Sequence, residues 1–183
     1  MSQKLIGIYS PAPQSGKTLT ATVLAHRGYQ PVSFAEPLKR MMVEFLMSFG
    51  YEKDEAVKLS WVDKAVVIPD LNVSCRYLLQ TLGTDWGRNL VCDDVWIRAW
   101  KARASIFNKV IVDDVRFPNE ADAVKDLGGE LWKIVRPSAG HDWSHISEGA
   151  LDDCDKFDRI IENTGTLEEF RAKIDLAIAD AGI

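Results

Sequence analysis

The chain has 183 residues, of which 46% are hydrophobic and 27% are charged, as in ordinary soluble globular proteins. This length favours one domain with a substantial core, and the net charge of -5 argues against a nucleic-acid-binding protein, which usually carries a basic surface. No apolar run approaches the roughly 18 residues that a membrane span needs, and the three cysteines are widely spaced. We therefore expect a cytoplasmic protein with reduced thiols and neither membrane nor nucleic acid as a partner.

The first half of the chain predicts two strands and three helices. An apolar run at residues 5–9 indicates a buried strand, and a helix-like stretch at about 17–27 follows a loop rich in Pro and Ser. "QPVSFAEPLK" suggests a short second strand, after which Pro37 opens a helix that Gly50 would end. Helical spacing of the apolar residues in "VSCRYLLQTLG" predicts a helix with its C-terminus at Gly83.

The second half continues the alternation. "DDVWIRAWKARA" is an amphipathic helix, and the β-branched run "KVIVDD" has the profile of a central parallel strand. Asn119 is the expected cap of the next helix, and "ELWKIV" and "DRIIEN" are strands. Thr166 and Glu169 fit a capping box before the last helix. An apolar stripe on that helix should dock on the sheet; its members are Leu167, Phe170, Ile174, Ala177 and Ile178.

Strands that alternate with helices imply βαβ units and therefore an α/β fold with a mainly parallel sheet covered on both faces. Two segments fit that sheet poorly, one at about 36–90 and one at about 137–156. They are candidates for insertions that cover a substrate. The alternative is that they are surface helices and a long loop without a special role.

Residues 15–18, Ser-Gly-Lys-Thr, match the end of the phosphate-binding motif G-x-x-x-x-G-K-[ST] and stand, as it requires, between a strand and a helix. Pro11 takes the place of the first glycine, and Pro13 lies inside the loop. In such loops backbone N–H groups surround the phosphates, the lysine reaches the β- and γ-phosphates, and the hydroxyl ligates Mg²⁺. We expect a working cradle with a stiffened rim, formed by Gln14, Ser15, Gly16, Lys17 and Thr18.

Asp113 and Asp114 end the predicted strand 110–112, where the carboxyl ends of parallel strands face the ligand crevice. One of them would hold a magnesium-bound water or the substrate, so the metal-site candidates are Thr18, Asp113 and Asp114. A solvated loop is the alternative. Arg116 could present its guanidinium fork to a phosphate.

Four segments in this order, "VSFAEPLK", "RYLLQTLGTDWGR", "VIVDDVRFPNEADAV" and "HISE", resemble the deoxynucleoside monophosphate kinases of tailed bacteriophages. The resemblance implies a three-layer P-loop kinase fold with a five-stranded mainly parallel sheet, in a single domain over 1–183. It also implies a helical monophosphate-binding insertion at about 36–90 and a lid at about 137–156. The implied reaction transfers the γ-phosphoryl group of ATP to a deoxynucleoside monophosphate with Mg²⁺, in the host cytoplasm for a phage protein. A homodimer is left open.

The resemblance also implies roles for matching positions. Asp114 stands in the family's D-x-R-F pattern and is preferred to Asp113 for the principal acidic role. Arg136 opens the predicted lid, so Lys17 and Arg136 are the catalytic candidates. Trp86 is an aromatic face suited to a base. The substrate-binding candidates are Lys39, Arg76, Gln80, Trp86, Arg88, Asp114, Arg116 and Glu148.

Two other functions stay open. One is a P-loop kinase of another small molecule, such as a coenzyme precursor, and the other is a nucleotide-binding switch without fast turnover. A zinc site is less favoured, because its potential ligands match no specific spacing pattern; they are His141, Asp142, His145, Glu148 and Cys154. The bases that the enzyme accepts do not follow from the sequence.

Overall fold

The computed structural model describes residues 3–137, 151–152 and 154–182. The chain forms two compact units, which we name the sheet unit (residues 1–33 and 102–183) and the helical unit (residues 34–101). None of the helices in the described ranges is both long and apolar enough to span a bilayer. The single domain with an insertion at 36–90 and a lid at 137–156 stays a prediction.

The sheet unit is built on five parallel strands, which confirms every strand predicted from the sequence. Their spatial order is β2-β5-β1-β6-β7, and the two remaining strands belong to the helical unit. The central strands are almost continuously apolar because helices cover both faces of a parallel sheet. The five strands are β1 (Lys4–Tyr9), β2 (Gln30–Pro31), β5 (Lys109–Val112), β6 (Glu130–Val135) and β7 (Arg159–Glu162).

Among the described residues, three helices belong wholly to the sheet unit: α1 (Lys17–His26), α6 (Pro118–Asp126) and α7 (Leu167–Asp180). One core cluster joins α1 and α7 to the strands, with Trp132 and Phe170 among its largest fully buried side chains. Phe170 belongs to the predicted apolar stripe of α7, and Ile174, Ala177 and Ile178 are buried with it. The prediction that Leu167 belongs to that stripe is wrong, since Leu167 is the first residue of the helix and is exposed.

The starts of α7 and α6 differ in how well the sequence predicts them. In α7 the capping box is confirmed: the Glu169 N–H donates to Thr166 Oγ1 at 3.2 Å, and the Thr166 N–H donates to Glu169 Oε2 at 2.7 Å. In α6 the predicted cap at Asn119 is wrong, because Pro118 already occupies the first helical turn. The buried Glu120 caps this helix instead, since its Oε2 accepts the N–H of Phe117 at 3.1 Å.

The helical unit holds a separate apolar core that includes Leu46, Ala56 and Ile68. Its strands β3 and β4 pair with each other in an antiparallel hairpin. Helix α5 begins in this unit and ends in the sheet unit. The elements are α2 (Glu36–Ser48), α3 (Lys53–Trp61), β3 (Val67–Ile68), β4 (Val73–Ser74), α4 (Cys75–Gln80), a π-helix (Thr81–Val91) and α5 (Val95–Ala104).

The predicted helix end at Gly83 is wrong. Helix α4 passes directly into the π-helix, which contains Gly83 and continues to Val91. The buried Trp96 of α5 supports this wide segment, since its Nε1 donates to the Gly83 carbonyl at 2.8 Å. A Cβ on Gly87 would lie 2.5 Å from Trp96 Cζ2, so glycine is required where the indole packs. π-Helical turns are rare and concentrate at functional sites.

Candidate functional site

The loop between β1 and α1 has the geometry of an anion-binding cradle. Gln14 and Gly16 adopt left-handed backbone conformations, with φ of 56° and 112°. The N–H groups of Gln14, Ser15 and Gly16 have no acceptor among the described residues. Consecutive N–H groups in such a turn, directly before a helix N-terminus, attract phosphate oxygens. Lys17 is the first residue of α1, and Thr18 follows it with its side chain exposed.

The two prolines are compatible with this loop. Pro11 and Pro13 lack an N–H, but both precede the three N–H groups that have no acceptor. The turn that leaves β1 is closed by a serine, since the Ala12 N–H donates to Ser10 Oγ at 3.4 Å and Ser10 Oγ donates to the Ala12 carbonyl at 3.2 Å. The loop therefore turns without its first glycine.

Side chains from two other strand ends contact the loop. Arg136 follows β6, and its Nη1 donates to the Gln14 carbonyl at 3.3 Å. Asn163 follows β7, and its Nδ2 donates to the Ser15 carbonyl at 2.9 Å. On the other side of the turn, a Cβ on Gly16 would lie 2.5 Å from Phe170 Cε1. The strands β6 and β7 and the helix α7 thus fix the backbone of the cradle.

Asp113 and Asp114 directly follow β5, the parallel neighbour of β1. Val112 pairs with Gly7, so the two carboxylates follow at the sheet edge where β1 leads into the phosphate loop. Both side chains are half-buried. The chain beyond them is held by Glu120, whose Oε2 accepts the N–H of Arg116 at 2.7 Å. The Arg116 side chain is exposed.

The oxygen donors near the loop fit a magnesium ion. Mg²⁺ binds one or two carboxylates together with phosphate oxygens and waters, and Thr18, Asp113 and Asp114 offer a hydroxyl and carboxylates. The buried Ser15 Oγ lacks a hydrogen-bond partner in the described part of the chain, a common feature where a polar ligand completes a site. Of the zinc alternative, His141, Asp142, His145 and Glu148 lie outside the described residues.

The helical unit carries five of the predicted substrate residues on α2, α4 and the π-helix. Lys39 lies in α2 with its Nζ 5.8 Å from the centre of the Trp61 ring, a cation–π contact. Arg76 and Gln80 are one helical turn apart in α4, whose N-terminus is capped by Ser74 through the Tyr77 N–H at 3.2 Å. Trp86 is 42% exposed, and its ring centre lies 6.2 Å from that of Trp96.

Arg88 differs from the other predicted substrate residues because its side chain is only 6% exposed. Its Nη1 donates to the Asp93 carbonyl at 3.0 Å and lies 3.6 Å from the Asp93 carboxylate. A buried guanidinium needs such partners to offset its desolvation. These contacts join the π-helix to the start of α5, and a substrate role for Arg88 stays a prediction.

Sequence reasoning missed three residues that shape the sites. Asn163 and Glu120 hold the backbone of the loop and of the acidic strand end, and Trp96 holds the π-helix. The partners of Asn163 and Trp96 are 148 and 13 residues away in the sequence, so no local pattern announces them. Glu120 could have been found, because a glutamate in the first helical turn often caps the backbone.

Part of the predicted lid, 137–156, lies outside the described residues, including Glu148. Two described residues near the end of this segment contact the rest of the sheet unit: Leu151 is buried, and the Tyr9 hydroxyl donates to Asp152 Oδ1 at 2.5 Å. Lys133 Nζ donates to the Asp152 carbonyl at 2.9 Å and lies over the ring of Phe157. Tyr9 and Lys133 belong to β1 and β6, which continue to the phosphate loop and to Arg136.

Two solved structures share the fold over nearly the whole chain. TT1252 from Thermus thermophilus is 18% identical, with a TM-score of 0.53 and 98% of each chain covered. A dephospho-CoA kinase from Campylobacter jejuni is 15% identical, with a TM-score of 0.51, and the match covers 99% of this chain and 98% of that one. These likenesses, with the five-stranded parallel sheet, confirm the predicted α/β fold of the P-loop kinases.

The sequence comparisons identify the family. The family model described as deoxynucleotide monophosphate kinase matches residues 52–174. A protein of Acanthamoeba polyphaga mimivirus, provisionally named deoxynucleotide monophosphate kinase, is 35% identical over 91% of this chain and 92% of its own length. The deoxynucleotide monophosphate kinase of phage T4 is 34% identical over 55% of this chain and 44% of that protein. The chain therefore belongs to the deoxynucleotide monophosphate kinase family and is a nucleotide phosphotransferase.

Proposed function

We propose that this enzyme transfers the γ-phosphoryl group of ATP to deoxynucleoside monophosphates and so supplies diphosphates for DNA precursor synthesis in the cytoplasm. The observation that carries the proposal is the cradle at Gln14–Gly16, whose three N–H groups have no acceptor among the described residues and lie directly before Lys17. Such a cradle suits the phosphates of a nucleotide. Family membership supports the choice of a deoxynucleoside monophosphate as the acceptor.

On the donor side, Gln14, Ser15 and Gly16 bind phosphate oxygens through their N–H groups. Lys17 places its ammonium group against the β- and γ-phosphates, and Thr18 with Asp113 and Asp114 would hold Mg²⁺. A bound Mg²⁺ would neutralise charge on the transferring group. In-line phosphoryl transfer needs positioning and charge neutralisation more than covalent chemistry from the protein.

On the acceptor side, the proposal assigns charged and hydrogen-bonding groups to the monophosphate and an aromatic face to the base. Arg76 and Gln80 share one face of α4, which suits two contacts with one small ligand. Trp86 suits the base because its indole is partly exposed. The remaining acceptor candidates are Lys39, Arg88, Asp114, Arg116 and Glu148.

Arg136 is the proposed catalytic arginine. It stands at the end of β6, exposed, and already contacts the loop through the Gln14 carbonyl. A guanidinium there can stabilise charge that develops on the transferring phosphoryl group. We propose the segment 137–156 as a lid that excludes water during transfer, so that ATP is not hydrolysed.

The test is an assay of ADP release with ATP, Mg²⁺ and dAMP, dGMP, dCMP, dTMP or dUMP in turn. ADP release should require an acceptor, and Lys17→Ala should lower it by about 10²-fold or more because the transition-state charge loses a direct partner. Lys53→Ala is the control, since Lys53 is exposed at the start of α3. Full turnover in a folded Lys17→Ala protein would refute the assignment of the loop. ATP binding without turnover on any acceptor would favour a switch or another substrate.

A further inference from the structure

The cradle depends on the direction of single peptide groups. In a planar trans peptide the carbonyl of one residue and the N–H of the next point in opposite directions. A hydrogen bond to the Ser15 carbonyl therefore fixes where the Gly16 N–H points. Within the described residues that carbonyl accepts from Asn163 Nδ2, at 2.9 Å. The Gly16 N–H on the opposite side of the peptide has no acceptor among those residues.

Gly16 cannot set this direction by itself. Glycine has no Cβ and populates positive and negative φ about equally, so the peptide between Ser15 and Gly16 can turn over at low cost. The hydrogen bond from Asn163 selects the orientation with the Gly16 φ at 112°. The neighbouring peptide is held in the same way, since Arg136 donates to the Gln14 carbonyl.

Asn163 is itself held rigidly. Its N–H donates to the Val135 carbonyl at 2.7 Å, which extends the pairing of β6 and β7 by one residue. Its side-chain nitrogen would lie 3.1 Å from a Cβ on Gly16, so the amide and the glycine are closely packed. The donor is therefore built into the sheet rather than carried by a freely moving loop.

We propose that Asn163 is a positioning residue of the ATP site, which aims the Gly16 N–H at the donor phosphates by holding the Ser15 carbonyl. This inference rests on the proposed donor site at the loop. It predicts an effect on ligands with a polyphosphate group and none on the acceptor monophosphate. Asparagine is needed because its amide donates, whereas an aspartate of the same shape would bring a carboxylate oxygen against the carbonyl oxygen.

The experiment compares wild type with Asn163→Ala, Asn163→Asp and the control Glu162→Gln. Glu162 is the exposed neighbour of Asn163. Its substitution exchanges a carboxylate for an amide, the reverse of Asn163→Asp, at a side chain with no contact to the loop among the described residues. For each protein we would measure the Kd of ADP directly, the KM of ATP and of the acceptor, and the melting temperature. Direct binding of ADP keeps the test independent of turnover.

We expect the Kd of ADP and the KM of ATP to rise about tenfold in Asn163→Ala, the usual effect of losing one hydrogen bond that supports a charged ligand. In Asn163→Asp the Kd of ADP and the KM of ATP should rise further. The KM of the acceptor in both Asn163 variants, and all three constants in Glu162→Gln, should stay within about twofold of wild type. An unchanged ADP Kd in both Asn163 variants would overturn the proposal, as would absent ADP binding in wild type. Equal loss of ATP and acceptor affinity with a lower melting temperature would also overturn it, since it indicates a general structural role.

If wild type binds ADP but transfers no phosphoryl group to any acceptor, the proposed function fails while the binding comparison still decides the role of Asn163. If wild type is an active kinase and the ADP Kd does not change in the variants, the positioning role fails and the function stands.

Discussion

At the scale of single residues, Gly16 is subject to two constraints. Its φ of 112° disfavours any side chain, and an added Cβ would meet Phe170 Cε1 at 2.5 Å. Phe170 is fully buried in the core cluster of the sheet unit, so its ring is held by the surrounding side chains. Gly28 in the same unit has a φ of 84° but no atom within 4 Å of the added Cβ, so it carries the backbone constraint without the packing one.

Gly16→Ala should therefore destabilise the protein more than Gly28→Ala. The left-handed conformation costs a non-glycine residue roughly 1–2 kcal/mol, and both variants incur that cost. The collision with Phe170 adds a further cost of about 1–3 kcal/mol for overpacking in Gly16→Ala alone. Urea unfolding followed by circular dichroism measures the difference. Equal losses in the two variants would show that Phe170 does not confine the loop.

The buried Tyr29 should make the stability of the protein depend on pH in the alkaline range. Its hydroxyl is buried with no hydrogen-bond partner among the described residues, and burial followed by the nearby Glu130 charge raises its pKa to about 12. The unfolded chain releases this proton near pH 10, whereas the folded chain keeps it to about pH 12. This contribution to stability is complete below pH 10 and is lost as the pH rises through 12.

Tyr29→Phe should reduce the loss of stability at alkaline pH. At pH 7 the free energy of unfolding should be unchanged or higher by up to about 1 kcal/mol, because no hydrogen bond to the hydroxyl is lost. Unfolding free energies of wild type and variant measured from pH 7 to 11 test both statements. The exposed Tyr77 supplies the control variant Tyr77→Phe, which should follow wild type. A Tyr29→Phe protein that is clearly less stable at pH 7 would show that the hydroxyl has a partner.

At the scale of elements, the π-helix shows where local reasoning fails. Glycine commonly ends a helix, so Gly83 predicted a C-terminus. The helix continues because Trp96, which is distant in the sequence, binds the Gly83 carbonyl and packs against Gly87. By contrast, the capping box of α7 was predictable because Thr166 and Glu169 satisfy each other within one turn. Features made by neighbours in the sequence can be read from it, and features made by tertiary contacts cannot.

The two glycines of the π-helix form a matched pair of substitutions. Gly87→Ala should destabilise the helical unit by about 1–3 kcal/mol, because its Cβ would lie 2.5 Å from the buried Trp96. Gly83→Ala should be neutral or stabilising, since its Cβ would meet only Leu38 at 3.6 Å and alanine favours a helix. Thermal unfolding compares them. A Gly87→Ala protein as stable as Gly83→Ala would contradict the packing described for Trp96.

At the scale of the whole molecule, the fold class was predictable and the site only partly so. Apolar runs predicted the three central strands β1, β5 and β6, because buried parallel strands are apolar throughout. The outer strands β2 and β7 are shorter and more exposed, and their prediction rested on the alternation of strands with helices. Placing the phosphate loop and Asp113 at one edge also followed, since parallel strands end together. The hydrogen bond between Asn163 and Ser15 could not be predicted, because it depends on how β7 lies beside β6.

If a phosphoryl group passes from ATP to a deoxynucleoside monophosphate, the most direct measurement is to follow that group. The protein would be incubated with ATP labelled in the γ-phosphate, Mg²⁺ and each monophosphate, and the products would be separated. We expect label in the terminal phosphate of a deoxynucleoside diphosphate only when the acceptor is present, and little or none with Lys17→Ala. The proposed reaction would be contradicted if the label appeared solely in inorganic phosphate, or if it stayed on ATP with every acceptor.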